Sequence, residues 1–369
     1  MEYFFILGRN PILSKAEIFA YLEGHGVEFE ELAFRKNFLI ISVDKEIKIN
    51  VQEFGGLIKF GKIMFSGTEI GFEDFIYHNE LVEKDKFTYS VQGNLDDEIF
   101  VDKFKTERRR AVIRRGGKQL KFQAEDPESV AKAQYDFFAL LSDKDEKDKR
   151  VYFGIAEKKY DYTDIKKRDM QKPNRRQEYA ISPRLAKILI NLSQVKPNQL
   201  LLDPFCGVGG ILLEALVKGI NVYGIDNDQK AITLARQNLK WLESNYKINA
   251  SWKLMAEDSR NPPNIKPDAI VAETPLGILF RKKPSDRESE KIIESFEKLI
   301  ISVLKKLAKI KKPGAKIVLT MPLVREASVN MRNITQQTGL KEYKLKNIVF
   351  PIQEFRPNQY ISREIVVLV

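Results

Sequence analysis

The stretch Leu200–Ala215, LLLDPFCGVGGILLEA, limits the possible folds more than any other part of the chain. An apolar run ends in Asp203, a glycine-rich turn follows at once, and a second apolar run of helical length begins. A buried strand that turns directly into a helix is the opening unit of a parallel α/β sheet, because parallel neighbours need a crossover that covers the sheet face. Gly207, Gly209 and Gly210 let the backbone pass close to a ligand, and ligands of such sheets lie beyond the carboxyl ends of the strands. Asn221–Asp226 reads as the next strand, and Asp226 stands 23 residues after Asp203, where an acid can bind ribose hydroxyls. Asp258 follows a third strand, Ser251–Ala256, and is placed to reach an adenine ring. Neither G-x-G-x-x-G nor GK[ST] is present. A glycine turn that served packing alone would leave three acids at three successive strand ends without a reason.

The rest of the C-terminal half continues the alternation. Ser182-Pro183 opens a helix, Arg184–Leu192, then helices at Gly209–Lys218, Gln229–Tyr246 and Ser289–Lys309 separate strands at Leu200–Pro204, Ala269–Ala272 and Lys316–Met321. Leu345–Phe350 and Arg363–Val369 read as an antiparallel edge hairpin. The N-terminal half differs. Tyr3–Leu7, Phe38–Val43 and Leu57–Phe65 read as strands, Ser14–Leu22 as a helix with Ser14 as cap and Glu17 in a capping box, and Ile47–Phe54 as a helix. That order suggests a ferredoxin-like split βαβ unit over residues 1–65. A second α/β unit runs from Phe87–Val91 through a polar helix Asp97–Arg109, a short strand Ala111–Ile113, an amphipathic helix Val130–Leu141 and a strand Val151–Ala156. Ser142–Lys149 reads as a mixed-charge surface loop. Lys166–Arg176, basic and without apolar period, reads as a linker.

Composition narrows the function classes. Lys and Arg number 62 against 51 Asp and Glu, a formal charge of +11. Such a balance suits a polyanionic partner; a Lys-rich thermophile surface is the alternative. One cysteine, Cys206, and two histidines, His25 and His78, leave little material for a disulfide framework, a metal centre or a Ser-His-Asp triad. No metal is expected. No apolar run approaches the length of a membrane span and the N-terminus lacks a signal-peptide pattern, so a cytoplasmic location is expected. Arg108–Lys118, the segment Lys166–Arg176 and Arg281-Lys282-Lys283 form three basic clusters. Guanidinium forks suit phosphate oxygens, which makes Arg108, Arg109, Arg114, Arg115, Lys167, Arg168, Arg175 and Arg281 candidate RNA contacts; solvated faces are the alternative.

DPFCGVGGILLEA followed by GIDND closely resembles the class I S-adenosylmethionine-dependent methyltransferases, and more narrowly the archaeal and eukaryotic tRNA guanine-N2 methyltransferases that act at position ten. FILGRNPILSKAEI, YFGIAEKKYDYTDIKKRDMQKPNRR and AISPRLAKILINLSQV share the resemblance, which therefore spans nearly the whole chain. It implies a Rossmann-like methyltransferase domain at 179–369, a parallel sheet with an antiparallel edge hairpin. Before it would stand a ferredoxin-like domain at 1–65, a THUMP RNA-binding domain at 66–165 and a basic linker at 166–178. Asp203, Phe205, Gly207 and Gly209 would line the methionine and ribose side, Asp226 the ribose hydroxyls, and Asp258 with Ser259 the adenine. Cys206 reads as a small packing residue. tRNA is the implied partner and a monomer is expected. Some relatives require a small zinc-containing activator protein and others work alone, and both arrangements stay open.

Amino-group methyltransferases of this kind carry Asp/Asn-Pro-Pro-aromatic after the fourth strand. The carboxylate and a main-chain carbonyl accept the amine hydrogens, and the ring stacks on a flipped-out base. Here Glu273-Thr274-Pro275-Leu276-Gly277 occupies that place. Glu273 keeps the charge one methylene further out, Thr274 restores a backbone donor, and Leu276 removes a stacking ring worth about 1–3 kcal/mol, for which Phe280 is a nearby substitute. Glu273 and Pro275 are the expected catalytic residues of a methyltransferase acting on a guanine exocyclic N2. Three alternatives stay open: another RNA, adenine N6 of DNA, or a catalytically silent RNA-binding module.

Overall fold

Ser182 accepts a hydrogen bond from Leu185 N (3.2 Å) and Pro183 takes the first helical position, so the helix that packs beneath the glycine loop starts where cap chemistry places it. The computed structural model describes residues 1–115, 133–142, 149–175, 181–275, 283–355 and 360–369. The chain divides into two compact units: Met1–Lys15, His25–Gln52 and Gly56–Tyr162 in one, Ala16–Gly24, Glu53–Gly55 and Thr163–Val369 in the other.

The first unit carries strands β1 (Glu2–Leu7), β2 (Phe29–Arg35), β3 (Phe38–Val43), β4 (Leu57–Gly67), β5 (Lys86–Gly93), β6 (Arg110–Ile113), β7 (Tyr135–Leu141), β8 (Val151–Ile155) and β9 (Lys158–Lys159). Its helices are α2 (Glu69–His78) and α3 (Glu98–Thr106), with the first residues of α1 (Pro11–Gly24). One nine-stranded sheet results, in the order β2-β3-β1-β4-β8-β7-β5-β6, with β9 beside β4. The first four strands have the antiparallel order of the expected split βαβ unit. A single 3-10 turn, Val51–Glu53, stands where a helix over Ile47–Phe54 was expected. Because β4 also pairs with β8, the same sheet runs on into the following residues.

Two further expectations fail here. Ser14 lies inside α1; the cap is Asn10, whose Oδ1 accepts from Leu13 N (3.1 Å), with Pro11 at the first position. Within the predicted helix Val130–Leu141, residues 135–141 form strand β7, parallel to β5 and antiparallel to β8. Phe137, Phe138, Ala139 and Leu140 are all fully buried, and an apolar run covered on both faces carries no period that separates strand from helix.

The second unit carries α4 (Tyr162–Gln171), α5 (Pro183–Leu192), β10 (Leu200–Asp203), α6 (Gly210–Val217), β11 (Asn221–Asp226), α7 (Gln229–Asn245), β12 (Trp252–Ala256), β13 (Ala269–Glu273), α8 (Asp286–Ile310), β14 (Lys316–Val324), α9 (Met331–Thr338), β15 (Ile352–Glu354) and β16 (Ile361–Leu368). The sheet order is β12-β11-β10-β13-β14-β16-β15, parallel from β12 to β14 and antiparallel at β16 and β15. Strand order reverses between β11 and β13 around β10, which is the switch point where doubly wound sheets bind ligands. Apolar residues of α8 such as Ile300, Val303, Leu304 and Leu307 cover the face built by Leu202, Ile270, Ile317 and Leu319. Ser285 and Glu288 form a reciprocal capping box at the start of α8.

The segment expected as a linker is mostly helix α4. Arg168 is only 2% exposed; its Nε and Nη2 donate to Glu214 Oε1 (2.8 Å) and Oε2 (3.0 Å) of α6, and Nη1 donates to Asp164. A bidentate buried pair of this kind pins α4 to the sheet-covering layer. The predicted strand Leu345–Phe350 holds only an isolated bridge between Leu345 and Ile348; the edge strand is β15 instead. Helix α9 was missed although Asn330 caps its start, accepting from Asn333 N (3.1 Å), and Gly339 ends it at φ 73°.

Candidate active site

Asp203, Asp226 and Glu273 end β10, β11 and β13, and Asp258 follows β12, so four acids collect at the carboxyl edge of four adjacent parallel strands. Gly207 adopts φ 51° and Gly209 φ 87°, a left-handed pair that folds the turn between β10 and α6. A Cβ built on Gly207 would meet nothing within 4 Å, so that side of the turn faces open space. Gly207 N donates to Asp226 Oδ2 (2.8 Å) and Asp228 N donates to Oδ1 (2.9 Å), which fixes the Asp226 carboxylate against the glycine turn. Cys206 N donates to Ile225 O (2.9 Å), and the buried Cys206 thiol packs 3.0 Å from where a Cβ on Gly224 would sit. Burial pushes that thiol well above its ordinary pKa, which suits a packing residue and not a nucleophile.

Asp203 is almost wholly buried and accepts from Phe205 N (3.0 Å). Burial raises its pKa well above the carboxylate range; the Phe205 amide opposes this, and the anionic Asp226 and Glu273 add to it. No cation among the described residues pairs with Asp203. A buried carboxylate beside two more acids fits a ligand that brings its own positive charge, such as the sulfonium and ammonium of S-adenosylmethionine. Asp258 is held differently: Arg260 Nε (2.9 Å) and backbone N (2.8 Å) both donate to its Oδ1, and its pKa is pulled down to about 2. The Ser259 hydroxyl donates to Pro204 O and so ties the loop after β12 to the loop after β10. The Phe205 ring is half-buried against the core beneath α8.

Glu273 faces a partner that the sequence reading missed. Arg363 of β16, 2% exposed, donates through Nη2 to Glu273 Oε1, and its Nη1 lies 3.4 Å from Glu354 Oε2 of β15. Burial raises the Glu273 pKa, Arg363 opposes the rise, and Glu354 adds to it. The buried Thr274 hydroxyl donates to Thr320 O of β14 (2.6 Å), so the departure from proline at this position gains an anchor to the neighbouring strand. Pro275 is exposed at the rim. Leu276, Gly277, Phe280, Arg281 and Lys282 lie outside the described residues.

The basic candidates divide. Arg108 and Arg114 are exposed. Arg109 is committed inside the first unit: it donates to Glu80 Oε1 (2.6 Å) and to Val82 O, and its Nε lies 3.1 Å from Glu107. Arg115 makes a bidentate pair with Asp97 (2.9 and 2.8 Å) while staying exposed. Lys167 stands 5.3 Å from the Tyr246 ring centroid, and the exposed Arg175 donates to Asp169 (3.2 Å). Arg168 is a buried structural residue, as described above, and is unsuited to contact a phosphate backbone.

A family model described as RMKL-like, methyltransferase domain, matches residues 172–320. A second, described as DNA methylase, matches 79–237. A tRNA (guanine(10)-N2)-dimethyltransferase of Methanothermobacter thermautotrophicus is 38% identical over 118 residues, 32% of this chain and 33% of that protein. A probable tRNA (guanine(10)-N2)-dimethyltransferase of Methanothermococcus thermolithotrophicus is 37% identical over 109 residues, 28% of this chain and 67% of that protein. The chain belongs to the tRNA guanine-N2 methyltransferase family. The match spans about a third of the length of the Methanothermobacter relative. The crystal structure of TrmN from Thermus thermophilus is 15% identical, with 100% of this chain and 99% of that one covered at a TM-score of 0.55, a likeness of fold. The family and its α/β fold are those of S-adenosylmethionine-dependent methyltransferases. Among the described residues, no helix is long and apolar enough to cross a membrane and no three His, Cys, Asp or Glu side chains form a metal-binding group.

Proposed function

We propose that this chain is an S-adenosylmethionine-dependent tRNA methyltransferase that modifies the exocyclic N2 of a guanine, with position ten of tRNA as its target. The observation that carries the reading is the gathering of Asp203, Asp226 and Glu273 at the carboxyl ends of three adjacent parallel strands, with no cation among the described residues beside Asp203. The names of the relatives point the same way, and supply the target position.

Asp203, Phe205, Gly207 and Gly209 would hold the methionine and ribose side of the cofactor, Asp226 the ribose hydroxyls, and Asp258 with the Ser259 backbone the adenine. When bound, the cofactor supplies a methyl group on a sulfonium that its own charge activates. Glu273 accepts a hydrogen bond from the guanine amine and aims its nitrogen; the amine proton leaves to Glu273 or to solvent. Positioning and charge stabilisation carry most of such catalysis. Residues 66–165, with exposed Arg108 and Arg114 flanking edge strand β6, would grip the tRNA body as a THUMP-type domain. The protein would act as a cytoplasmic monomer, with or without a zinc-containing activator.

One observation favours a second reading, methylation of adenine N6 in DNA: the match to a family model described as DNA methylase. It spans residues 79–237 and ends before Glu273, and therefore does not reach the substrate loop. Incubating purified protein with methyl-labelled cofactor and either unmodified tRNA or duplex DNA separates the two. Label in tRNA alone is expected; label in DNA alone overturns the tRNA reading, and label in neither overturns both.

A further inference from the structure

The paired strands place a row of functional side chains on one face of the second sheet. Glu273 stands opposite Thr320, Thr320 opposite Ile365, Arg363 opposite Pro322, and Glu354 opposite Arg363. Directly opposed residues share a face, so Glu273 of β13, Arg363 of β16 and Glu354 of β15 project to the same side, with Thr320 and Pro322 of β14 between them. Arg363 touches acids on both flanks, Glu273 of β13 beyond β14 and Glu354 of β15. The guanidinium is required for this because it presents separate nitrogens to separate carboxylates, which an ammonium does less well.

We infer that Arg363 is the positioning residue of the methyl-transfer site, fixing the Glu273 carboxylate for the incoming amine, and that Glu354 on its far side tempers this hold. The inference rests on the proposed methyltransferase reading. Arg363 touches Glu273 and not the reacting atoms, so it acts through that acid. An Asp at position 273 would fall one methylene short of this contact. Among the described residues, charged groups that act on or are acted on by Glu273 include Arg363 from β16, Glu354 from β15 and Asp203 from β10. Removing the Arg363 charge should make Glu273 harder to ionise, and removing the Glu354 charge should make it easier, since these two act on it with opposite sign.

The test is a carbon-13 NMR titration of the glutamate carboxyls in the full chain, assigned with Glu273→Gln, alongside a pH profile of single-turnover methyl transfer. Wild type would be compared with Arg363→Gln, Arg363→Lys and Glu354→Gln. The Glu273 midpoint should rise in Arg363→Gln, rise less in Arg363→Lys, and fall in Glu354→Gln. The acid limb of the rate should follow, with about a tenfold change per unit of midpoint shift in kcat and little change in KM for tRNA. Cofactor affinity should hold in all variants, which also reports that each is folded; if Arg363→Gln fails that check, Arg363→Lys and Glu354→Gln still carry opposite predictions. An unmoved midpoint, or a midpoint that moves without the rate following, overturns the inference. If wild type transfers no methyl while the midpoints move as stated, the methyltransferase reading fails and the charge arrangement alone survives.

Discussion

Asp203, buried, and Glu273, mostly buried, are carboxylates at the ends of adjacent strands with raised pKa values, yet their charges are met in different ways. No cation of the chain's described residues stands beside Asp203, whereas Glu273 has Arg363, supplied from a strand near the other end of the sequence. The difference suggests a division of labour. A subsite for a cationic cofactor can leave its acid unmatched, because ligand binding completes the ion pair. A subsite for a neutral guanine amine must carry its counter-charge with it.

The sharpest way to break this comparison is to remove each acid in turn. Glu273→Gln should lower methyl transfer by about 10²–10⁴-fold, the range for a positioned acid–base group, and leave cofactor affinity near wild type. Cofactor binding by calorimetry and single-turnover transfer would measure the two. A Glu273→Gln variant that instead lost cofactor binding would erase the distinction.

Asp203→Asn should do the reverse. Losing a hydrogen bond or ion pair to a charged group, about 1.5–3 kcal/mol, weakens the cofactor by about 10–100-fold. The pH dependence sharpens the point. The folded-state pKa of Asp203 lies above its unfolded value. Its contribution to stability is therefore complete below the ordinary carboxylate range and is lost as pH rises through the raised value. A cationic ligand draws that pKa down again, so binding should release a proton and tighten as pH rises across the same window. Calorimetry in buffers of different ionisation enthalpy would detect the proton, and Asp203→Asn should abolish it.

Arg168→Met tests the basic segment that turned out to be structural. Breaking a buried ion pair by removing one partner costs about 3–5 kcal/mol, so chemical denaturation should show a loss of that order, and the double variant Arg168→Met, Glu214→Leu should recover part of it. The smallest effect is expected in the first unit. Arg114→Glu should weaken tRNA binding and reduce its salt slope by about 1, while Arg109→Glu should act mainly on stability through Glu80 and Val82. Filter binding across a salt series, paired with thermal melts, distinguishes them.

The fold around the glycine turn was legible in the sequence because its signals are local. Asp203, Gly207, Gly209 and Asp226 lie within one strand–turn–helix–strand unit, and the predicted strand Asn221–Asp226 has the observed bounds. What escaped depends on distant partners. Glu214 lies 46 positions from Arg168 and Arg363 lies 90 positions from Glu273, so charge patterning alone reads the former as a phosphate contact and the latter as an edge-strand residue. In the first unit, Tyr135–Leu141 is buried on both faces and therefore lacks the alternation by which an exposed strand is recognised. The exposed Arg108 and Arg114 and the committed Arg109 look alike as letters; only the acids that gather around Arg109 separate them.

Nucleoside mass spectrometry of tRNA after reaction with the purified protein and labelled cofactor tests the central claim most directly. The account predicts labelled N2-methylguanosine or N2,N2-dimethylguanosine that maps to position ten and is absent with Glu273→Gln. Labelled adenine, a labelled guanine nitrogen other than N2, or no labelled nucleoside at all would contradict it.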